Sequence, residues 1–177
     1  RREQVLKTLL REVSHRSKNL LAIVQSIASQ TARFTDSVDD FLLKFRGRIQ
    51  SLSYSQDLVT DSNWHGALFL DLVHSQIEKY IDVTDERLTI EGDDPYLFPG
   101  AALHVGLALH ELIINATSFG GLSIPYGRVV ISAKVQRSDK GDEELILHWE
   151  ETNPSMPEIK HDPRFGSAVL QRIVPSS

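Results

Sequence analysis

The feature that most constrains this chain is a long N-terminal stretch without glycine or proline, running from residue 1 to residue 46. Apolar side chains recur in its first two thirds at intervals of three and four residues, the spacing of one helix face. They are Leu6, Leu9, Leu10, Val13, Leu20, Leu21, Val24, Ile27 and Ala28. We predict one helix that ends between residues 31 and 34. Because a helix of that length exposes an apolar stripe, it needs a packing partner.

A second helix is predicted directly after a short polar break at residues 35–37. Ser37 is a suitable N-cap, and Asp40 three residues later favours a first helical turn. A new apolar stripe then continues to about residue 57, and Gly47 within it weakens the pattern only slightly. Since the connection is short, the two helices form an antiparallel hairpin.

A polar cluster interrupts the apolar face of the first helix around His15. His15 and Asn19 are four residues apart and therefore neighbours on one helix face, so the Asn19 amide could orient the imidazole. Taken alone, His15 is more simply an ordinary, half-exposed helix histidine, because one residue does not make a site.

The unbroken string of residues 15–28 is similar to the phosphoacceptor box of the HWE-type sensor histidine kinases. By that resemblance His15 is the phosphorylated residue, and residues 1–60 form a hairpin of the dimerisation and histidine phosphotransfer type. Arg16 stands where other kinase families often have an acidic residue. Glu12, three residues before His15, is therefore a candidate for base assistance.

Residues 61–177 show a different pattern after the polar break at residues 60–63, where we place the domain boundary. Helical spacing is seen at residues 67–80 and 101–118, and strands are predicted at 87–91, 128–136 and 143–149, with a short helix at 166–173. This order predicts an α+β fold with one mixed sheet and helices on one face. The resemblance implies the ATP-binding α/β sandwich shared by gyrase, Hsp90, histidine kinases and MutL.

The long second-half helix carries Glu111 and Asn115 one turn apart. Their oxygens suit Mg²⁺ when phosphates complete the ligand shell, although a merely polar helix stripe is the simpler interpretation. Residues 107–120 are similar to the N box of the family, including His110. The resemblance implies that Asn115 ligates Mg²⁺, that Glu111 orients a metal water or assists proton movement, and that His110 supports the nucleotide site.

Two further boxes follow the last predicted strand. Trp149 and Glu151 match the family motif of Trp, any residue and an acidic residue, which implies that Glu151 accepts a hydrogen bond from the adenine amine. Asn153 replaces the glycine expected in this box. The proline-containing stretch after it is typical of a nucleotide lid.

The second glycine-rich box of the family is represented by Phe165, Gly166 and Ser167, with Arg164 in place of the first glycine. Gly166 at the start of a helix would let the backbone approach phosphate. Ser118 and Phe119 depart from the family as well, because Lys and Tyr usually stand there and the Lys contacts phosphate.

Composition excludes several classes of protein. The 177 residues include no cysteine, which excludes disulfides and thiolate sites, and the net charge of −5 argues against nucleic-acid binding. No apolar run is long enough for a transmembrane helix, so a cytoplasmic protein is expected. The uncapped start of the first helix predicts further chain upstream.

We interpret the chain as the core of a sensor histidine kinase of a two-component system. Mg·ATP-dependent autophosphorylation of His15 would be followed by transfer to an aspartate of a response regulator receiver domain. The resemblance implies an upstream sensor of the PAS or LOV type, and leaves a homodimer or a monomer open. The alternatives are a non-catalytic phosphotransfer or scaffold protein with a degenerate nucleotide site, favoured by Ser118, Asn153 and Arg164, and a Ser/Thr kinase of the same fold.

Overall fold

The computed structural model describes residues 1–153. The predicted lid, the box at Phe165, Gly166 and Ser167, and the short helix at 166–173 lie outside the described residues. The chain divides into two compact units, Arg1–Ile49 and Gln50–Ser177. The sequence-based boundary at residues 60–63, which falls at the end of the second helix, stays a prediction.

The first unit contains helix α1, Arg2–Arg33, and the beginning of helix α2, Val38–Asp61. Both helices were predicted, and α1 ends at Arg33, within the predicted range of residues 31 to 34. The Ser37 hydroxyl accepts a hydrogen bond from the Asp40 backbone N–H at 3.1 Å, as the capping pattern indicated.

A small buried polar contact holds the two helices of the first unit. The Arg48 guanidinium donates to the Thr31 hydroxyl at 2.7 Å, and this hydroxyl donates to the Ile27 carbonyl at 2.6 Å. All three residues are buried. Because a buried guanidinium is costly without partners, this contact fixes the pairing of α1 with α2 in a way that apolar packing alone would not.

The second unit contains a three-stranded mixed sheet in the order β2-β4-β5. Strand β2, Leu88–Gly92, runs parallel to β4, Arg128–Arg137, and β4 runs antiparallel to β5, Glu143–Thr152. Helices α3, Phe69–Ile77, and α4, Pro99–Ser118, lie in the same unit, as does the second half of α2 from Gln50 onward. The predicted α+β fold with helices followed by a mixed sheet is confirmed.

A second, two-stranded sheet was not predicted. It pairs β1, Ala67–Leu68, with β3, Tyr96–Leu97, in antiparallel register. Strand β1 takes the first two residues of the helix predicted at 67–80, which begins at Phe69 and ends at Ile77. Two residues are too few to show a period of two, so no alternating pattern marked these strands.

The core of the second unit lies between one face of the three-stranded sheet and helices α3 and α4. Alternate residues of β4 are buried, as expected for a strand with one face on the core. The central apolar residues are Phe69, Leu72, Val73, Ile77, Ala102, Val105, Leu109, Ile113, Ala116, Val129, Ile131 and Ala133. No helix of the described part of the chain is long and apolar enough to cross a membrane.

A buried polar cluster ties the end of α2 to α3 and α4. The Ser51 hydroxyl donates to the Gln76 side-chain oxygen at 2.8 Å, and the Gln76 amide donates to the Ser51 carbonyl at 2.9 Å and to the Ser55 hydroxyl at 3.0 Å. Gly106 lies against them, and a Cβ there would be 2.0 Å from the Ser55 oxygen. This close approach explains a glycine inside α4, where alanine would otherwise be preferred.

The start of α3 is capped from a distant part of the chain. The Asp94 carboxylate accepts a hydrogen bond from the Leu70 N–H at 2.8 Å, and the Pro95 carbonyl accepts one from Phe69 at 2.9 Å. Helix starts leave N–H groups without intrahelical partners, and a carboxylate also suits the positive end of the helix dipole. The loop after β2 therefore fixes the position of α3.

Candidate functional site

The predicted phosphoacceptor His15 lies on α1 in the first unit, and its side chain is exposed to solvent. Asn19 is exposed one turn further along the same helix face. One turn before Arg16, the Glu12 carboxylate accepts a hydrogen bond from the Arg16 guanidinium. Glu12, the candidate for base assistance, is therefore part of an ion pair with Arg16.

Helix α4 carries the three predicted residues of the metal and phosphate end. His110 is 3% exposed, Glu111 is 9% exposed and Asn115 is partly buried. Glu111 and Asn115 lie one turn apart on a regular helix, as predicted. Burial of a carboxylate and an imidazole in a mostly apolar helix is unusual and typical of positions kept for a chemical role.

The described residues contain no group of three or more His, Asp or Glu side chains able to hold a metal ion. Glu111 and Asn115 can supply two oxygen ligands, whereas Mg²⁺ takes six in an octahedron. The donor set therefore fits a magnesium ion that arrives with phosphate oxygens and keeps several waters. It does not fit a metal held by the protein alone.

His110 contacts one aromatic residue, Tyr80, that sequence reasoning missed. The Tyr80 hydroxyl lies 3.4 Å from His110 Nδ1, and the two rings meet edge to face with centroids 5.9 Å apart. Burial raises the pKa of the Tyr80 hydroxyl, and the charges of Tyr54 and Glu111 raise it further. The Lys79 ammonium lies 3.1 Å from the centre of the Tyr54 ring. Tyr80 stood at the end of a predicted helix, and nothing in the sequence distinguished it.

Glu151, which is predicted to accept a hydrogen bond from the adenine amine, lies near the end of β5. One carboxylate oxygen accepts a hydrogen bond from the Trp149 indole N–H at 2.9 Å, and the other accepts one from the Gly121 backbone N–H at 2.8 Å. The Asn153 amide donates to the Gly120 carbonyl at 3.2 Å. The asparagine that replaces the expected glycine therefore holds the same segment as Glu151.

The loop between α4 and β4, residues 119–127, joins the two ends of the candidate site. The Asn115 carbonyl accepts a hydrogen bond from the Gly120 N–H at 3.0 Å, and the next N–H, that of Gly121, is the one bound by Glu151. Two consecutive peptide groups thus connect the α4 turn that carries Asn115 with Glu151. The structure therefore links the backbone of Asn115 to Glu151, which in turn binds Trp149.

Arg87 holds the middle of the same loop. Its guanidinium donates to the carbonyls of Leu122 at 3.2 Å and Ile124 at 3.1 Å, and also binds the Asp85 carboxylate at 2.7 Å. The Asp85 carboxylate accepts hydrogen bonds from the Arg87 side chain and from the Arg87 backbone N–H. Both bonds, the side-chain one most, lower the pKa of Asp85 to about 2. Sequence reasoning did not single out Arg87, because its partners lie 35 and 37 residues further along the chain.

Comparison with known proteins supports the sequence interpretation. Residues 12–94 match the family described as HWE histidine kinase. A blue-light-activated histidine kinase of Brucella ovis is 30% identical over 166 residues, which cover 93% of this chain and 33% of that protein. Blue-light-activated histidine kinase 1 of Erythrobacter litoralis is 28% identical over 173 residues, covering 96% of this chain and 47% of that protein. The chain thus spans about a third to a half of the length of these relatives.

The fold is also that of a known structure. A blue-light activated histidine kinase of Erythrobacter litoralis superposes with a TM-score of 0.56 at 21% identity, covering 93% of this chain and 51% of that one. At this identity the likeness concerns the fold alone. The family match begins three residues before His15 and continues through α2 and α3. Together with the relatives, it supports an HWE-type histidine kinase.

Proposed function

We propose that this chain is the catalytic core of a sensor histidine kinase, which transfers the γ-phosphoryl group of Mg·ATP to His15. The observation that carries the proposal is the pair of hydrogen bonds that joins the Asn115 turn of α4 to Glu151 through Gly120 and Gly121. A residue that binds the metal at the phosphates and a residue that recognises adenine can bind one nucleotide only if they are held at a fixed distance. The backbone of the 119–127 loop supplies that constraint.

At the adenine end, Glu151 is proposed to accept a hydrogen bond from the exocyclic amine of the base. A carboxylate can accept about four hydrogen bonds, and two are made within the chain. A guanine carbonyl at the same position would meet the carboxylate without a proton between them. Glu151 would therefore favour ATP over GTP.

At the phosphate end, Asn115 and Glu111 are proposed to hold Mg²⁺, which neutralises charge on the transferred phosphoryl group when bound. With the metal bound, Glu111 would also orient one of its waters, and His110 would support the phosphate end of the site. Both residues are nearly inaccessible to solvent, so their positions are set before the nucleotide binds. Phe165, Gly166 and Ser167 are proposed to contact phosphate from the segment that follows residue 153.

The exposed imidazole of His15 is the proposed nucleophile. A ring nitrogen forms a bond to phosphorus as the bond from phosphorus to the bridging oxygen of ADP breaks, and the imidazole loses its proton to solvent. Asn19, one turn away, is proposed to orient the ring. Because Glu12 is paired with Arg16, base assistance from Glu12 would require that ion pair to open.

The phosphoryl group is then proposed to pass to an aspartate of a response regulator receiver domain, which would dock around His15. Because the relatives are named blue-light-activated, a light-sensing module is proposed upstream in the whole protein, of the PAS or LOV type that the family resemblance implies. A cytoplasmic location fits such a kinase.

Incubation with γ-labelled ATP and Mg²⁺ tests the proposal. We expect acid-labile, alkali-stable label in the wild type, no label in His15→Ala, and a loss of about 100-fold or more in Asn115→Ala, because removing one preorganised electrostatic group costs this much in other enzymes. His104→Ala is a matched control, since His104 also lies on a helix and binds a backbone carbonyl of its own helix, that of Gly100.

The same experiment tests the alternatives. A chain that neither binds Mg·ATP nor becomes labelled would indicate the scaffold protein, the alternative supported by Ser118, Asn153 and Arg164. Acid-stable label that remains in His15→Ala would indicate a Ser or Thr kinase. Binding of Mg·ATP without label would mean that the core needs its sensor to become active.

A further inference from the structure

We infer that Trp149 is a positioning residue for nucleotide specificity: its indole N–H, together with the Gly121 N–H, fixes the orientation in which Glu151 reads adenine. The inference rests on the proposed function, because it concerns the same adenine site. It assigns Trp149 an action through Glu151 and not a contact with the nucleotide. It also assigns a role to Gly120, which leaves space for the Glu151 carboxylate.

The strand geometry explains why the two residues are separated by one position. In the β4–β5 pair, Ile131 is opposite Trp149 and Val129 is opposite Glu151. Side chains alternate between the two faces of a strand, so residues 149 and 151 share the face that carries Val129 and Ile131. An indole N–H at the first position can therefore reach a carboxylate at the second, and no shorter separation would allow it.

The two hydrogen bonds fix the plane of the carboxylate. The indole binds one oxygen at 2.9 Å, while the Gly121 N–H binds the other at 2.8 Å. Glutamate has several rotatable bonds, and Glu151 is exposed, so without these two hydrogen bonds its carboxylate would sample many orientations. With each oxygen held by a different donor, one acceptor direction on each oxygen stays available in a known orientation. Preorganisation of this kind increases affinity by lowering the ordering cost on binding.

The packing around Gly120 supports the same conclusion independently. A Cβ at residue 120 would lie 2.1 Å from Glu151 Oε2 and 2.8 Å from the Ala116 Cα. The carboxylate therefore occupies the space that any other residue at this position would fill. Gly120→Ala displaces Glu151 without changing its charge or the indole of Trp149.

The opposite face of β5 provides an internal control. His148 and Glu150 have the same separation and also lie near each other, with His148 Nε2 3.6 Å from Glu150 Oε2. Both are largely exposed, and they face away from the core and from the 119–127 loop. Glu150→Gln removes the same charge, one residue away, without touching the proposed site.

The hydrogen bond from the Trp149 indole to Glu151 can be tested without nucleotide. The chain has two tryptophans, so a ¹⁵N-labelled sample gives two indole signals, and Trp64→Phe assigns them. We expect the Trp149 indole proton to exchange with solvent about tenfold faster in Glu151→Ala than in the wild type, since a hydrogen bond to a charged group protects it. Glu150→Gln should leave this rate unchanged. An equal rate in wild type and Glu151→Ala would overturn the inference.

The specificity role is tested by the ratio of Mg·ATP to Mg·GTP affinity. We expect Trp149→Phe, which keeps an aromatic ring, to lower that ratio about tenfold by weakening ATP binding only, because one oriented hydrogen bond is lost. Gly120→Ala should lower it similarly, which keeps the test available if Trp149→Phe does not fold. Glu150→Gln should keep the wild-type ratio.

Three outcomes separate the positioning role of Trp149 from the proposed function. An unchanged ratio in both Trp149→Phe and Gly120→Ala, with normal ATP binding, would overturn the positioning role and leave the proposed function standing. Equal losses of ATP and GTP affinity would also overturn it, because they would indicate general damage. A wild type that binds no ATP but keeps a protected indole would overturn the proposed function and the specificity role together.

Discussion

Helices α1 and α4 are both long and both have an apolar face, but they bury very different fractions of their side chains. In α1 only Ile27 and Thr31 are buried, and both lie in its last two turns. In α4 eleven of the twenty residues are buried, including His110 and Glu111. His15 is exposed, whereas His110 is 3% exposed. The difference matches their proposed roles, since a phosphoacceptor must be reached by other groups and a supporting residue must be held in place.

The exposed apolar side chains of α1 make the same contrast. Leu9 is 53% exposed and Leu10 is 60% exposed, whereas Leu72 in α3 is fully buried. Identical residue types thus have different surroundings in the two units. Each prediction below tests how far stability depends on the packed unit, from the largest expected effect to the smallest.

The largest effect is expected for truncation of a buried leucine. Leu72→Ala should lower the free energy of unfolding by about 2–5 kcal/mol, because it leaves a cavity in the core. Leu9→Ala should change it by less than about 0.5 kcal/mol, as for other surface positions. Urea unfolding followed by circular dichroism measures both. A large loss in Leu9→Ala would contradict the contrast and mean that this face of α1 is covered in solution.

A smaller loss is expected at the buried polar cluster of the second unit. Gly106→Ala should destabilise the protein by about 1–3 kcal/mol, since the added methyl group collides with the Ser55 hydroxyl. Gly100→Ala in the same helix has no neighbour within 4 Å of its added Cβ and should be neutral or slightly stabilising. Thermal unfolding of the two variants gives the comparison. Equal melting temperatures would show that the cluster can adjust.

The distant cap of α3 should contribute about 1 kcal/mol. Asp94→Ala removes the acceptor of the Leu70 N–H, and loss of a capping side chain costs about this much. Asp94→Asn keeps a side-chain oxygen and should lose only part of the stability. Amide hydrogen exchange at Leu70 should quicken in the alanine variant. Unchanged exchange would mean that another group caps α3.

The smallest effect is expected from the ion pair of Asp85 with Arg87. Because the folded-state pKa of Asp85, about 2, is below the unfolded value of about 3.9, its contribution to stability is present above pH 4 and is lost as the pH falls towards 2. The stability difference between wild type and Asp85→Asn should be below about 1 kcal/mol at pH 6, since the pair is partly exposed, and should shrink below pH 4. A difference that grows on acidification would contradict this.

The sequence was informative where a local pattern repeats. Helices α1, α2 and α4 were predicted close to their observed ends, because each has several turns of apolar spacing and α2 has a capping residue. The pair β4 and β5 was predicted at residues 128–136 and 143–149, and each strand is ten residues long in the structure. By contrast, β1 and β3 were missed because two residues cannot show a period.

The sequence singled out the motif residues of the candidate site, whose roles stay predictions, but it did not single out the residues that contact them. Glu111, Asn115 and Glu151 were found from their spacing and from the family resemblance. Arg87 and Tyr80 were missed because each acts across more than 25 residues of chain, where no local pattern connects the partners. The bond between Trp149 and Glu151 was missed although their spacing was noted, because strand periodicity was applied to the core and not to the site.

The central claim is that His15 receives the phosphoryl group of ATP, and ³¹P NMR of the chain after incubation with Mg·ATP tests it most directly. A bond from phosphorus to nitrogen gives a phosphoramidate signal that is distinct from that of a phosphate ester. We predict a phosphoramidate signal in the wild type that disappears on acidification and is missing in His15→Ala. A phosphate ester signal, or a phosphoramidate signal that persists in His15→Ala, would contradict the account.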